Sequence, residues 1–170
     1  MATTPATLGT IPAGFVSPFK RVQQDCRIED AFACCAMLCN KTLAEVNKMA
    51  VTLGYPAHGP AWVEDNLIAA IIFNLSNLKT HQYKDFVSFS ALPDVCLLMV
   101  DFVESVDTGR LVLFHHVRGT GTQQAFSYII DPADWIDPKH HITTSVSHLK
   151  LEPAWYIEIT QKTSTGMKAK

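Results

Sequence analysis

The pattern of apolar residues changes near residue 94, and this change restricts the folds open to the chain. Before that point apolar residues recur at the i, i+3, i+4, i+7 spacing of helices, and after it they form short runs with the lengths of β-strands. We predict helices over residues 26–39, 42–53 and 62–75, and strands over 95–102, 111–117, 125–130 and 155–159. Residues 76–93 are predicted to be irregular, with a short strand over 86–89. Helices followed by strands with hairpin-length connections predict an α+β fold with an antiparallel sheet.

The second helix has the clearest boundaries in the sequence. Thr42 is followed three residues later by Glu45, the spacing of a capping box in which side chains and backbone N–H groups satisfy each other. Gly54 is typical of the residue that ends a helix.

A chain of 170 residues is most simply one domain with a single core. Residues 1–14 are rich in Thr, Ala, Pro and Gly, which predicts a flexible or loosely docked N-terminal arm. The domain is then predicted over residues 15–160, with a polar, flexible tail over 161–170.

Charge and cysteine content limit the partners and the compartment. The net charge is −2 with both signs mixed along the chain, so we predict no nucleic-acid partner. No run of about 18 apolar residues exists, so we predict no membrane insertion. Five cysteines, three of them crowded at Cys34, Cys35 and Cys39, are typical of synthesis in a reducing cytoplasm and of core packing rather than a zinc site. Export by a specialised secretion system stays an alternative because it needs no N-terminal Sec-type signal, and the oligomeric state is not indicated.

Cys26 is the candidate nucleophile. In the stretch from Gln24 to Cys35 it stands at the predicted first turn of the first helix, with Asp25 as a capping residue. The helix dipole at that position favours thiolate over thiol, and the thiolate is the nucleophilic form. The structural alternative is a packing cysteine, because free cysteines are commonly buried.

This layout resembles that of the papain-like cysteine peptidases, in which a Cys at a helix start is followed by a helical part and an antiparallel sheet carrying His and Asp. Within them it is most similar to the bacterial peptidase domains that process bacteriocin leaders and to bacterial effector deamidases and amidases. The likeness spans residues 20–135 and is carried by Gln24-Asp25-Cys26, the helix from Ala31 to Leu38, the second helix, the strand from Leu111 to His116, and Tyr128 to Pro132.

The resemblance implies a papain-like α+β fold and a thiol hydrolase that acts on an amide bond of a protein or peptide substrate. Cys26 would attack the acyl carbon, His115 or His116 would act as the base, and Asp131 would orient the imidazole. Gln24 or Gln23 would stabilise the oxyanion. The resemblance implies neither a cofactor nor a metal. An acyltransferase with the same thioester chemistry is a weaker alternative.

Two registers of the predicted hairpin decide whether these groups meet. A turn centred near Gly119 to Gly121 places Asp131 opposite residue 109, about 20 Å from His115. A turn centred near Gln123 places Asp131 opposite His115. We favour the second register because it brings Cys, His and Asp together in the order the resemblance implies.

Three positions depart from the pattern of the related peptidases. Arg27 follows the cysteine where Gly is usual, Arg110 stands at the strand start where the His is often found, and Lys20 occupies the usual place of the upstream Gln. These departures favour the alternative function, a catalytically inactive papain-like domain that serves as a protein-binding or regulatory module.

Overall fold

Three α-helices pack on one face of a six-stranded antiparallel sheet in residues 7–58 and 62–163, the part of the chain that the structure, a computed structural model, describes. The helices are α1 (Asp30–Cys39), α2 (Leu43–Thr52) and α3 (Asp65–Leu75). The strands are β1 (Leu78–Asp85), β2 (Val95–Val103), β3 (Thr108–Val117), β4 (Phe126–Ile130), β5 (Ile142–Thr143) and β6 (Trp155–Gln161). Their order across the sheet is β1-β6-β2-β3-β4-β5, and each neighbouring pair is antiparallel. The predicted α+β class with an antiparallel sheet is confirmed.

The central strands are buried on both faces of the sheet. Leu111 and Leu113 of β3 belong to the main core with α1, whereas Val112 and Phe114 belong to a second core on the opposite face. Alternate residues of a strand point to opposite faces, so a strand covered on both sides reads as a continuous apolar run. This is why the sequence predicted β2, β3 and β4 closely.

The ends of α2 follow the predicted local chemistry. The Thr42 hydroxyl oxygen accepts the N–H of Glu45 at 3.2 Å, and the Glu45 carboxylate accepts the N–H of Thr42 at 2.8 Å. The capping box is therefore confirmed. Gly54 follows the helix with a φ of +100°, a conformation that favours glycine.

Three predicted boundaries were wrong. The first helix begins at Asp30, not at Cys26, and the third begins at Asp65, not near Trp62. Residues 76–93 are not irregular, because β1 occupies Leu78–Asp85 and a short 3₁₀ helix covers Phe89–Ala91. A bulge between Thr80 and Tyr83 interrupts the alternation of β1, an edge strand, and so hides it from sequence periodicity.

The first described residues of the predicted N-terminal arm are paired with the sheet. The Leu8 N–H donates to the Thr144 carbonyl at 2.8 Å, and the Leu8 carbonyl accepts the N–H of Ser127 at 3.0 Å. Residues 1–6 of the predicted arm and 164–170 of the predicted tail lie outside the described residues.

Candidate functional site

Cys26 lies in a tight turn ahead of α1 and not in the first turn of the helix. Its carbonyl accepts the Glu29 N–H at 3.2 Å, and the Glu29 carboxylate accepts the N–H groups of Asp25 and Cys26 at 3.1 and 3.2 Å. Glu29 thus holds the turn closed and occupies the N-cap position, so the predicted cap at Asp25 was wrong. The Cys26 side chain is exposed, without the helix-dipole environment that the sequence predicted.

Gln24 and Gln23 have different surroundings. Gln24 is 1% exposed, and its side-chain N–H donates to the Cys26 carbonyl at 2.8 Å. Its amide oxygen has no hydrogen-bond partner among the described residues. Gln23 is exposed and accepts a hydrogen bond from Arg21 at 3.3 Å. The amide donor of Gln24 is therefore engaged with the backbone of the turn.

The two candidate bases contact their neighbours on β4. His115 Nδ1 lies 2.9 Å from the Tyr128 hydroxyl, and His116 Nδ1 lies 2.8 Å from the Ser127 hydroxyl. His115 also packs edge-on against Phe19. Burial lowers the pKa of His115, while the charge of Asp94 acts in the opposite direction.

The β3–β4 register explains why His115 and Asp131 do not pair. His115 is opposite Tyr128, and Leu113 is opposite Ile130, a register between the two that the sequence left open. The favoured register, with His115 facing Asp131, was therefore wrong. Within residues 7–58 and 62–163, no hydrogen bond or ion pair joins Cys26, His115, His116 and Asp131 to one another.

Asp131 is instead paired with Arg110. The two side chains form an ion pair at 2.6 Å, and Arg110 also contacts the Asp101 carboxylate at 2.6 Å. Asp131 is fully buried, and its other carboxylate oxygen accepts the N–H of Ala133 at 3.0 Å. Burial alone would lower the pKa of Arg110, but Asp131 and Asp101 raise it. The guanidinium is therefore held charged at this position.

Asp101 reaches Arg110 because β2 is irregular there. The pairing of β2 with β3 shifts between Val100 and Val103, and Asp101 has a φ of +54°. Aspartate is one of the few non-glycine residues that adopt this conformation readily. The bulge turns Asp101 toward the start of β3.

The N-terminus of α1 meets the start of β3 beside this ion pair. The Asp30 carboxylate accepts the N–H of Leu111 at 2.6 Å. Burial raises the pKa of Asp30 to about 6, against hydrogen bonds and the Arg110 charge that lower it. We call Asp30, Asp101, Arg110 and Asp131 the ionic junction.

Of these four residues, Arg110 stands out in the sequence because it occupies a position where related peptidases often have the His. Asp30 and Asp101 give no such signal, because their contacts depend on where α1 begins and on the β2 bulge.

A pair of stacked histidines lies next to the ionic junction. The rings of His140 and His148 are 4.0 Å apart, and His148 Nε2 is 4.0 Å from the Asp131 carboxylate. Burial and the neighbouring His140 lower the pKa of His148. The histidine next to Asp131 is therefore His148, from the loop after β5, and not a histidine of β3.

An open groove of about 450 Å³ lies between the Cys26 turn and α2. Its apolar lining is formed by Ile28, Phe32, Val51, Tyr55, Pro56 and Ala57. The polar lining consists of Cys26, Glu29 and Asn47. We call this feature the Cys26 groove. Next to it, the Arg27 guanidinium lies over the exposed ring of Trp135, 5.0 Å from its centre.

No protein-family model matches the chain, and no curated protein matches it. Of the helices in the described residues, none has the length and apolar character needed to cross a membrane.

Proposed function

We propose that this chain is a catalytically inactive domain of papain-like architecture that serves as a protein-binding module. The observation that carries the proposal is the Arg110–Asp131 ion pair at 2.6 Å. Related peptidases often have a His at the strand start that Arg110 occupies, and an arginine cannot act as a base because its guanidinium stays protonated in proteins. The carboxylate that would orient an imidazole is committed to this cation.

The position of Cys26 supports the same proposal. A papain-like nucleophile needs a nearby base to accept its proton, at hydrogen-bonding distance or through one water. The Nδ1 atoms of His115 and His116 are hydrogen-bonded to the hydroxyl groups of Tyr128 and Ser127. Cys26 is exposed in a turn outside α1. The helix start that faces β3 carries Asp30 and Ala31, neither of which is a nucleophilic thiol.

A thiol hydrolase using Cys26, a β3 histidine and Asp131 is the rival function, and the reactivity of Cys26 separates the two. At pH 6 an ordinary cysteine, with a pKa of about 8.5, is almost fully protonated and reacts slowly with iodoacetamide. We expect Cys26 to react at pH 6 no faster than free glutathione, and the His116→Gln variant to react at the same rate. Mass spectrometry of the Cys26→Ser variant shows whether the label is on Cys26. Little labelling of this variant is expected, because the other four cysteines are buried.

A Cys26 rate at pH 6 at least about tenfold above that of glutathione, lost in His115→Gln or His116→Gln, would overturn the proposal in favour of the hydrolase. Circular dichroism of each variant shows whether a lost rate reflects lost folding.

A further inference from the structure

We infer that the Cys26 groove binds a peptide segment of a partner protein in which an apolar side chain is flanked by basic residues. The inference rests on the proposed binding function and names its surface and its ligand chemistry. It is carried by the apolar lining of the groove and by the Glu29 carboxylate within that lining.

The groove has a mainly apolar lining and enough room for an apolar side chain. Phe32 lines the groove, is 1% exposed and packs its ring edge-on against Tyr55, with 5.0 Å between the ring centres. Val51 of α2 also lines the groove and is 46% exposed, so its side chain is accessible to a ligand. A volume of about 450 Å³ falls in the range of small ligand sites and accepts a leucine or phenylalanine side chain.

The charge at the groove selects the residues next to that side chain. Glu29 lines the groove, and its hydrogen bonds come from neutral donors, the backbone N–H groups of the turn and the Asn47 amide at 3.3 Å. Neither Glu29 nor the exposed Asp25 forms an ion pair with a described cation. The cation of the turn, Arg27, is turned toward Trp135. The Glu29 carboxylate within an apolar lining, with Asp25 in the same turn outside that lining, favours a ligand with basic residues beside an apolar one.

The same charge argues against other classes of ligand. Phosphate groups, nucleic acids and anionic lipid surfaces would be repelled by Glu29 and Asp25. Attraction of a basic peptide should weaken as salt is added, because these two charges are open to solvent.

The test measures binding of a fluorescein-labelled acetyl-Gly-Lys-Leu-Lys-Gly peptide to the full chain by fluorescence anisotropy. Two matched peptides replace the leucine by serine or both lysines by glutamate. We expect the Lys-Leu-Lys peptide to bind at least about tenfold more tightly than either, and its affinity to fall with added salt. Because Cys26 lines the groove and is the exposed cysteine, the bound peptide should also slow its reaction with a thiol reagent.

Two variants locate the binding surface. Val51→Arg places a bulky cation in the groove and should abolish binding, whereas Val87→Arg adds the same side chain at an 82% exposed position outside it and should not. Glu29→Gln keeps an acceptor for the turn N–H groups but removes the charge, and should weaken binding about threefold to tenfold. Thermal unfolding of each variant confirms that it is folded.

Three outcomes would overturn the inference. Equal affinity for the three peptides would show that the groove does not select a basic and apolar ligand. Equal effects of Val51→Arg and Val87→Arg on binding would show that the peptide does not bind in the groove. Protection of Cys26 that rises with protein concentration without peptide would identify a second copy of this chain as the occupant. None of these outcomes requires rapid labelling of Cys26 at pH 6, which is the result that overturns the proposed function itself.

Discussion

The ionic junction and the Cys26 groove lie at opposite ends of the same short connection, residues 26–30. They differ in whether their carboxylates are paired with a cation. In the junction the Asp131 carboxylate is fully buried and is matched by Arg110 at 2.6 Å. In the groove the Glu29 carboxylate accepts hydrogen bonds but forms no ion pair with a cation in the described residues. A buried charge must be paired within the fold, whereas a charge at an open apolar surface remains available to a partner. The buried pair therefore contributes to the stability of the fold, whereas the Glu29 carboxylate is the charge on which the proposed peptide binding depends.

The largest effect should come from breaking the junction with Arg110→Met. This change leaves Asp131 buried without its cation, and we expect a loss of about 3–5 kcal/mol in the free energy of unfolding, measured with urea. The matched control is Arg118→Met, which removes an exposed ion pair with Asp94 and should change stability little. Equal losses in the two variants would contradict a structural role for the junction.

Asp30→Asn should change the pH dependence of stability. Because the pKa of Asp30 is raised from 3.8 to about 6 in the folded state, the folded protein binds a proton that the unfolded chain releases. The resulting stability is fully present below pH 3.8 and is lost as the pH rises through about 6. Between pH 4 and pH 7 the wild type should therefore lose up to about 3 kcal/mol relative to the variant. Parallel curves from urea unfolding at each pH would contradict this assignment.

Tyr128→Phe tests whether His115 belongs to the fold. The variant keeps the ring but removes the hydroxyl that contacts His115 Nδ1 at 2.9 Å and the Ser17 hydroxyl at 2.7 Å. We expect a loss of about 1–2 kcal/mol in the free energy of unfolding, because these half-buried groups lose their hydrogen-bond partner. Tyr156→Phe is the control, since its hydroxyl makes no side-chain hydrogen bond in the described residues, and a loss as large there would argue against the His115 contact.

The smallest effect concerns the support of the groove. Thr42→Ala removes the side chain that caps α2, which carries Asn47 and Val51, and should cost about 1 kcal/mol in the free energy of unfolding. Binding of the Lys-Leu-Lys peptide should be unchanged at a temperature where the variant is fully folded. An affinity that falls in proportion to stability would mean that the groove itself loosens with the helix end.

The sequence predicted those parts of the fold that depend on local signals or on long apolar runs. The capping box located the start of α2, and the apolar runs located β2, β3, β4 and β6 to within a few residues. It did not predict β1, whose bulge disrupts its alternation. It also extended α1 back to Cys26, because nothing local shows that the Glu29 side chain closes a separate turn.

The candidate site was predicted less well because it depends on strand register. Asp131 and Gln24 are buried, but the partner of Asp131 is Arg110 and not a histidine of β3. A register shift of a few residues between β3 and β4 moves His115 away from Asp131, and the glycine-containing turn between these strands is compatible with several registers. The partner of Asp131 is therefore set by how β3 and β4 pair in the folded sheet, and the spacing of apolar residues in the sequence does not determine that pairing.

The pairing of Leu8 with Ser127 and Thr144 has a consequence for the order of folding. These hydrogen bonds join residues more than a hundred positions apart, so their loop-closure entropy must be offset by contacts that form before them. The segment adds backbone pairing at the side of the sheet where β5 contributes only two residues. We therefore expect this segment to dock late in folding, so that until then the edge it covers is open to pairing with other chains.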